Sequence, residues 1–356
     1  IIPFETLTKI KKLAEEGAVV MFVDYYPQDV AGLAEQMIRR EKLDSLISKL
    51  PGSSPFEVEK SSAFGKGKII TGNDLYRMIG LCDIEEEGIV WHNVDFTRRK
   101  NQDGYHYFFT NLQSNRLDGW VKLGVNAVSA ILYDPLTGQV GLAGLKNENE
   151  KTQVYLQLNP GESVFLKTFT TRKVSGTEWK YYKSGTSIEL NDEWELQFTD
   201  GEPKITKKYH LRNLVSWTGI DTGNVRNYAG AGRYSLKITL PDIPADEWLL
   251  DLGKVCESAR VYLNGKEIRI LWSVPFNVRI GDYVKAGTNL LEIEVTNTPA
   301  NRIIDMDKRK VGWKIFKNIN FVNLDYKEFD ASGWELAPSG LLGPVRLIPL
   351  LRQKFN

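Results

Sequence analysis

The sequence predicts a multidomain chain of two characters, an α/β segment followed by all-β segments. Three observations carry this. The first part sets apolar residues at helical spacing around one continuous apolar run. From about residue 88 the hydrophobic period changes to two and stays there. Gly, Asn and Asp turn signals punctuate everything that follows. A chain of 356 residues has room for two or three domains. The expected parts are a partial doubly wound α/β domain over 1–87, a small β-sandwich domain over 88–170, and a jelly-roll β-sandwich over 171–356.

In the first part, Phe4, Leu7, Ile10 and Leu13 mark a short amphipathic helix that Gly17 ends. The run Ala18–Val23 has the character of a buried parallel strand. Val30, Leu33, Ala34, Met37 and Ile38 predict one face of a second helix. The stripe resumes at Leu43, Leu46, Ile47 and Leu50 before Pro51-Gly52. Gly65-Lys66-Gly67 leads into a strand over Lys68–Thr71. Asn73 is the expected N-cap of a helix carrying Leu75, Met78 and Ile79. The series opens on a helix, as though a first strand stood upstream, and Ile1-Ile2-Pro3 has neither an initiator Met nor the pattern of a signal peptide.

In the β-rich part, Tyr105, Tyr107 and Phe109 alternate with other residues. Val154–Leu158 and Ser163–Phe169 flank the turn Asn159-Pro160-Gly161-Glu162. A connection over Thr171–Gly185 leads to further strands, among them Trp194–Phe198, Tyr234–Leu240 and Trp248–Leu252. Ala259–Leu263 and Ile268–Leu271 flank Asn264-Gly265, a strong type I′ hairpin signal because both central positions need positive φ. Leu291–Val295 alternates cleanly.

Lys and Arg (46) nearly balance Asp and Glu (45), so no global field draws nucleic acid or acidic membrane. No run of eighteen apolar residues predicts a membrane span. Cys82 and Cys256 lie far apart and read as small buried residues. The chain contains no H-E-x-x-H, G-x-S-x-G or P-loop pattern. His92, His106 and His210 are scattered and read as structural or surface residues. The acidic stretches Asp305-Met306-Asp307 and Asp221-Thr222-Gly223-Asn224 have oxygens suited to calcium, with solvated turns as the alternative. Arg98-Arg99-Lys100 reads as a solvated basic face. The α/β alternation stops by about residue 85, short of the roughly 200 residues a (β/α)₈ barrel needs, so no scaffold for a glycosidic carboxylate pair is expected.

Two stretches resemble a known family. The first joins Trp248–Val255, Glu257–Lys266, Leu271–Phe276 and Thr296–Arg302. It resembles the sugar-binding, galactose-binding-like jelly roll of glycoside hydrolase family 2, in the version carried at the C-terminus of glycoside hydrolase family 106 α-L-rhamnosidases. The second joins Tyr107–Leu112, Leu132–Gly138 and Leu156–Ser163, and resembles the β-domain that follows the barrel and its flavodoxin-like α/β companion in such enzymes. The resemblance implies an accessory C-terminal region of an inverting glycosidase acting on plant-type polysaccharide. It places the catalytic (β/α)₈ barrel upstream, expects no catalytic residue here, and implies a periplasmic or secreted bacterial protein without a cofactor.

Jelly rolls of this type send loops toward the barrel. Asn297 and Asn301-Arg302 follow a clean strand, where such a loop would begin, and their amides and guanidinium suit sugar hydroxyls. The alternative is that they tie the loop down. Trp272 and Trp313 are candidate stacking platforms. Core packing is the stronger expectation for Trp272, ahead of Pro275-Phe276, and a near-surface place for Trp313 among Lys308, Arg309, Lys310 and Lys314. Two other readings stand beside the glycosidase region: a stand-alone carbohydrate-binding protein, and a structural module that never touches sugar.

Overall fold

The computed structural model describes the chain apart from residues 83, 85, 149–150, 222, 316–323, 325 and 356. Its contacts divide it into two units, Ile1–Glu86 and Glu87–Asn356.

In the first unit, α1 (Phe4–Glu16) buries Leu7 and Ala14. It stops at Gly17, whose amide donates to the Ala14 carbonyl at 3.2 Å. The chain then enters β1 (Val19–Val23), α2 (Gln36–Ile47), β2 (Lys60–Phe64), β3 (Gly67–Gly72) and α3 (Leu75–Gly80). The sheet runs in the order β1-β3-β2, with β1 parallel to β3 and β2 antiparallel to it. Val20, Phe22 and Ile69 pack with α1 and the α2 region on one face, while Met21 and Ile70 meet Met78 and Cys82 on the other.

Two expectations are corrected here. The second helix begins at Gln36 rather than Val30, leaving Leu33 (87 %) and Met37 (76 %) exposed. Leu43 and Leu46 alone anchor its buried face, which the later half of the stripe announced. The helix cap before Leu75 is Asp74, whose carboxylate accepts from the Tyr76 and Arg77 amides at 2.9 and 3.2 Å, one residue beyond Asn73. Gly65-Lys66 closes a hairpin, because the polar stretch Lys60–Phe64 is itself a strand. Gly65 sits at φ +62, where a Cβ would stand 2.6 Å from the Glu15 backbone, so only glycine fits.

The second unit opens with a 3₁₀ turn at Gly88–His92 and eight strands. These are β4 (Asp95–Lys100), β5 (Gly104–Thr110), β6 (Leu117–Lys122), β7 (Ser129–Tyr133), β8 (Val140–Leu142), β9 (Leu145–Glu148), β10 (Lys151–Leu158) and β11 (Ser163–Phe169). They form a five-stranded sheet, β4-β5-β11-β7-β8, and a three-stranded sheet, β6-β10-β9. Tyr107, Phe109, Val121, Val154, Leu156 and Leu166 fill the space within this sandwich. The turn at Pro160-Gly161 does not close a hairpin. It passes the chain from one sheet to the other, since β10 and β11 have different partners.

Glu87 is buried beneath this sandwich and accepts from the Tyr107 hydroxyl at 3.0 Å and the Gly124 amide at 2.8 Å. It also pairs with Arg98, which is exposed as expected of a solvated basic face while its guanidinium reaches this buried carboxylate. Arg99 and Lys100 are exposed as expected.

The remaining strands are β12 (Tyr181–Ser184), β13 (Ile188–Glu189), β14 (Trp194–Glu202), β15 (Tyr209–Leu211), β16 (Ala229–Thr239), β17 (Glu247–Asp251), β18 (Lys254–Cys256), β19 (Ser258–Leu263), β20 (Lys266–Leu271), β21 (Asn277–Arg279) and β22 (Thr288–Thr296). α4 (Ala300–Lys308), β23 (Gly340–Gly343) and β24 (Arg346–Gln353) complete the chain. A six-stranded sheet, β15-β14-β16-β22-β19-β20, faces a sheet built on β12-β24-β17-β21, to which β13 adds. Strict alternation carries Leu291, Ile293 and Val295 inward against Ala259, Val261 and Leu263. The Asn264-Gly265 turn has φ +53 and +78, as a type I′ hairpin demands.

The two sandwiches of this unit touch. Arg279 donates to Gln139 at 3.0 Å and lies over the Tyr182 ring. Phe355, beyond the end of β24, packs on Trp120 and Tyr155 of the smaller sandwich and on Tyr181 at the start of β12. Cys82 and Cys256 are free and buried.

Two predictions follow from this packing. Trp217 is fully buried, and Trp217→Ala should lower the stability of the second unit by about 3–5 kcal/mol, read by denaturant titration of tryptophan fluorescence. All nine tryptophans lie in that unit, so the signal reports it alone. In the first unit, two hydrogen bonds from Arg40, with help from the Val30 amide, hold the Asp29 carboxyl down at about 2, below its ordinary 3.8. A depressed folded value gives stability that is present above pH 3.8 and is lost as pH falls toward 2. Asp29→Asn should therefore flatten the acid dependence of this unit between those values, measured by amide exchange at Ile69 and Ile70.

Candidate functional site

Four of the five residues that sequence reasoning singles out gather around α4. β22 ends at Thr296, and the Asn297 side chain takes over the pairing there. Its carbonyl accepts from the Gly230 amide at 2.9 Å, and its amide donates to the Tyr228 carbonyl at 2.8 Å and the Ser339 hydroxyl at 3.2 Å. In the first turn of α4, Asn301 is 2 % exposed. It accepts from the Ala337 amide and donates to the Ala337 carbonyl, both at 2.8 Å, and reaches Ser339 Oγ at 3.1 Å. These two amides mimic a strand partner for the Ala337–Ser339 segment, and they close the end of the sandwich. The expected loop after β22 is in fact this helix.

Farther along α4 the polar groups are ionic. Asp305 gathers Arg302 at 3.2 Å, Arg309 at 2.7 Å and the Asn227 amide at 3.1 Å. Asp307 accepts from Trp313 Nε1 at 2.7 Å and from the Ala331 amide at 2.8 Å. Each carboxylate is thus already ringed by donors of the protein itself. Asp221 likewise accepts from the Tyr209 hydroxyl at 3.0 Å and the Gly223 amide at 2.9 Å, and Thr222 lies outside the described residues. Among the described residues, no three His, Cys, Asp or Glu side chains converge as metal ligands.

Trp313 is half-buried, edge-on to Phe329, which in turn meets Trp334 edge-on at 5.5 Å. Trp334, half exposed, is the outermost ring of this aromatic series and was not singled out from the sequence. Neither were Ser339 and Asn227, since a serine or asparagine in a long irregular stretch gives no periodic signal.

Trp272 stands apart from this group, and its expected place in the core is corrected. It is 67 % exposed. The alternation of β20 explains why: Leu271 pairs with Ala259 and points inward, so the next residue turns out. Phe276, four residues on, fills the core instead. Val274, also exposed, lies against Gly161 of the smaller sandwich, whose added Cβ would come within 3.0 Å of it.

The histidines form no cluster. His106 meets the Asn101 amide at 3.0 Å and His210 lies 3.5 Å from Glu193.

No family model matches the chain. Over 238 residues, 59 % of this chain, it is 28 % identical to a Formosa agariphila protein described as "Putative beta-glucuronidase". The structure of a rhamnosidase from Novosphingobium sp. PP1Y superposes on 96 % of the chain with a TM-score of 0.67 at 25 % identity. The chain spans about a fifth of the first relative and a third of the second, 20 % and 32 % of their lengths. The chain therefore has a glycoside-hydrolase-type fold and is related to an accessory region of glycosidases.

Removing the Asn301 amide takes the partner from the Ala337 N–H and the nearer donor from its carbonyl, in a half-buried place. Asn301→Ala should destabilise the second unit by about 1–3 kcal/mol, while Arg302→Ala, removing one of several donors around Asp305, should cost less than about 1 kcal/mol. Paired denaturant titrations check the order.

Proposed function

We propose that this chain is an accessory region of a glycoside hydrolase, α-L-rhamnosidase-like and acting on plant-type polysaccharide in the periplasm or outside a bacterial cell. Its catalytic (β/α)₈ barrel precedes these residues in a longer polypeptide. The single observation that supports this most is the superposition of nearly the whole chain on one third of a rhamnosidase. Within that reading, Asn297 and Asn301 are positioning residues. They fix α4, and α4 presents Arg302 and the Trp313 series toward a sugar or toward the barrel.

A second reading has its own observation. Trp272 displays its ring to solvent, as a stacking platform of a carbohydrate-binding protein would.

Hydrolysis of an aryl α-L-rhamnoside, with an aryl β-glucuronide in parallel, tests the first reading. The 356-residue chain should be inactive and the longer polypeptide should cleave the rhamnoside. Turnover by the 356-residue chain alone, or a longer polypeptide that cleaves only the glucuronide, would sink it. For the second reading, Trp272→Ala should abolish retention on immobilised plant polysaccharide without changing the denaturation midpoint.

A further inference from the structure

The first unit carries a sheet that stops abruptly. β1 is terminal in the order β1-β3-β2 and, among the described residues, pairs on one side only. The Lys68 amide donates to the Ala18 carbonyl and the Asp24 amide to the Gly72 carbonyl, so the even-numbered positions of β1 address β3. The alternation of a parallel ladder then turns the N–H and C=O of Val19 and Met21 to the open side. Edge strands that stay unpaired are normally blunted by charge, proline or a bulge. β1 reads Val-Val-Met-Phe-Val and has none of these. Its side chains are also those of an interior strand: Val19 and Val23 remain exposed, as do Met37 and Ile38 of α2 and Leu75 and Ile79 of α3.

Topology says where a neighbour would come from. Parallel crossovers are right-handed, so crossovers on one face of a sheet step across it in one direction. β1 reaches β3 by way of α2, and α1 lies on that same face. A strand feeding α1 must therefore arrive on the side of β1 away from β3, the open side.

We infer that the open edge of β1 is filled by an apolar strand running parallel to it, supplied by the residues immediately before Ile1 in a longer polypeptide. The inference rests on the functional reading above only for the existence of those residues. The relatives, each about three times as long as this chain, leave ample chain to provide it. The added strand would give Val19 and Met21 their missing partners and cover the apolar side chains beside them.

Hydrogen exchange tests this in the 356-residue chain and in the native longer polypeptide, with the central-strand amides of Ile69 and Ile70 as reference. Relative to that reference, the Val19 and Met21 amides should exchange at least about 100-fold more slowly in the longer polypeptide. Equal exchange in both would overturn the inference. So would protection in the 356-residue chain that rises with concentration alongside a dimer in sedimentation, since a second copy would then be the occupant. A native polypeptide that begins at Ile1 overturns it as well. Aryl rhamnoside turnover, measured on the same longer polypeptide, separates the two ideas. Activity without protection removes the strand and keeps the glycosidase reading; protection without activity does the reverse.

Discussion

A buried phenol organises one end of the larger sandwich. Tyr234 lies in the middle of β16 with its hydroxyl oxygen enclosed, accepting from Trp217 Nε1 at 2.6 Å and from the Leu341 amide at 3.0 Å. Burial raises its pKa well above the ordinary tyrosine value and keeps it neutral. An oxygen so placed must keep these partners, because an unmet polar group there costs more than the bond itself contributes. The Leu341 bond fixes β23, β23 fixes Ser339, and Ser339 receives both Asn297 and Asn301. From Asn301 the order passes into α4 and its two carboxylates. The surface polar groups are thus placed by a chain of hydrogen bonds that starts in the core.

Much of the β architecture was legible in the sequence. The period of two across Leu291–Val295, the Asn264-Gly265 turn and the apolar run after Gly17 each have one physical reading, and the structure follows them. What the sequence hid was pairing. Lys60–Phe64 is a strand only because β3 offers it a partner, and its own composition would suit a loop. The Pro160-Gly161 turn has hairpin chemistry, yet the sheets on either side claim its two strands separately. Arg98 looked like one cation of a basic run until Glu87 met it from a distant turn.

The candidate site was legible by location more than by role. Asn297, Asn301, Arg302 and Trp313 do fall together, because all follow the end of one strand. Their spacing could not disclose that two of the amides face inward, since that depends on the Ala337–Ser339 segment some 36 positions away. Trp272 shows the opposite error. A tryptophan ahead of Pro-Phe looks like core, but one residue of register decides the face, and Phe276 holds the interior place.

The contact made by Phe355 bears on how such proteins are put together. A module that moves freely between genes must carry its own interior. The smaller sandwich does not, since the ring that closes its aromatic cluster arrives from the opposite end of the chain, nearly two hundred residues later. The two β-sandwiches therefore share part of one aromatic interior. Recombination at the apparent boundary near residue 170 would leave one partner with a hole and the other with a dangling tail, so lineages that shuffle these regions are expected to break the chain elsewhere.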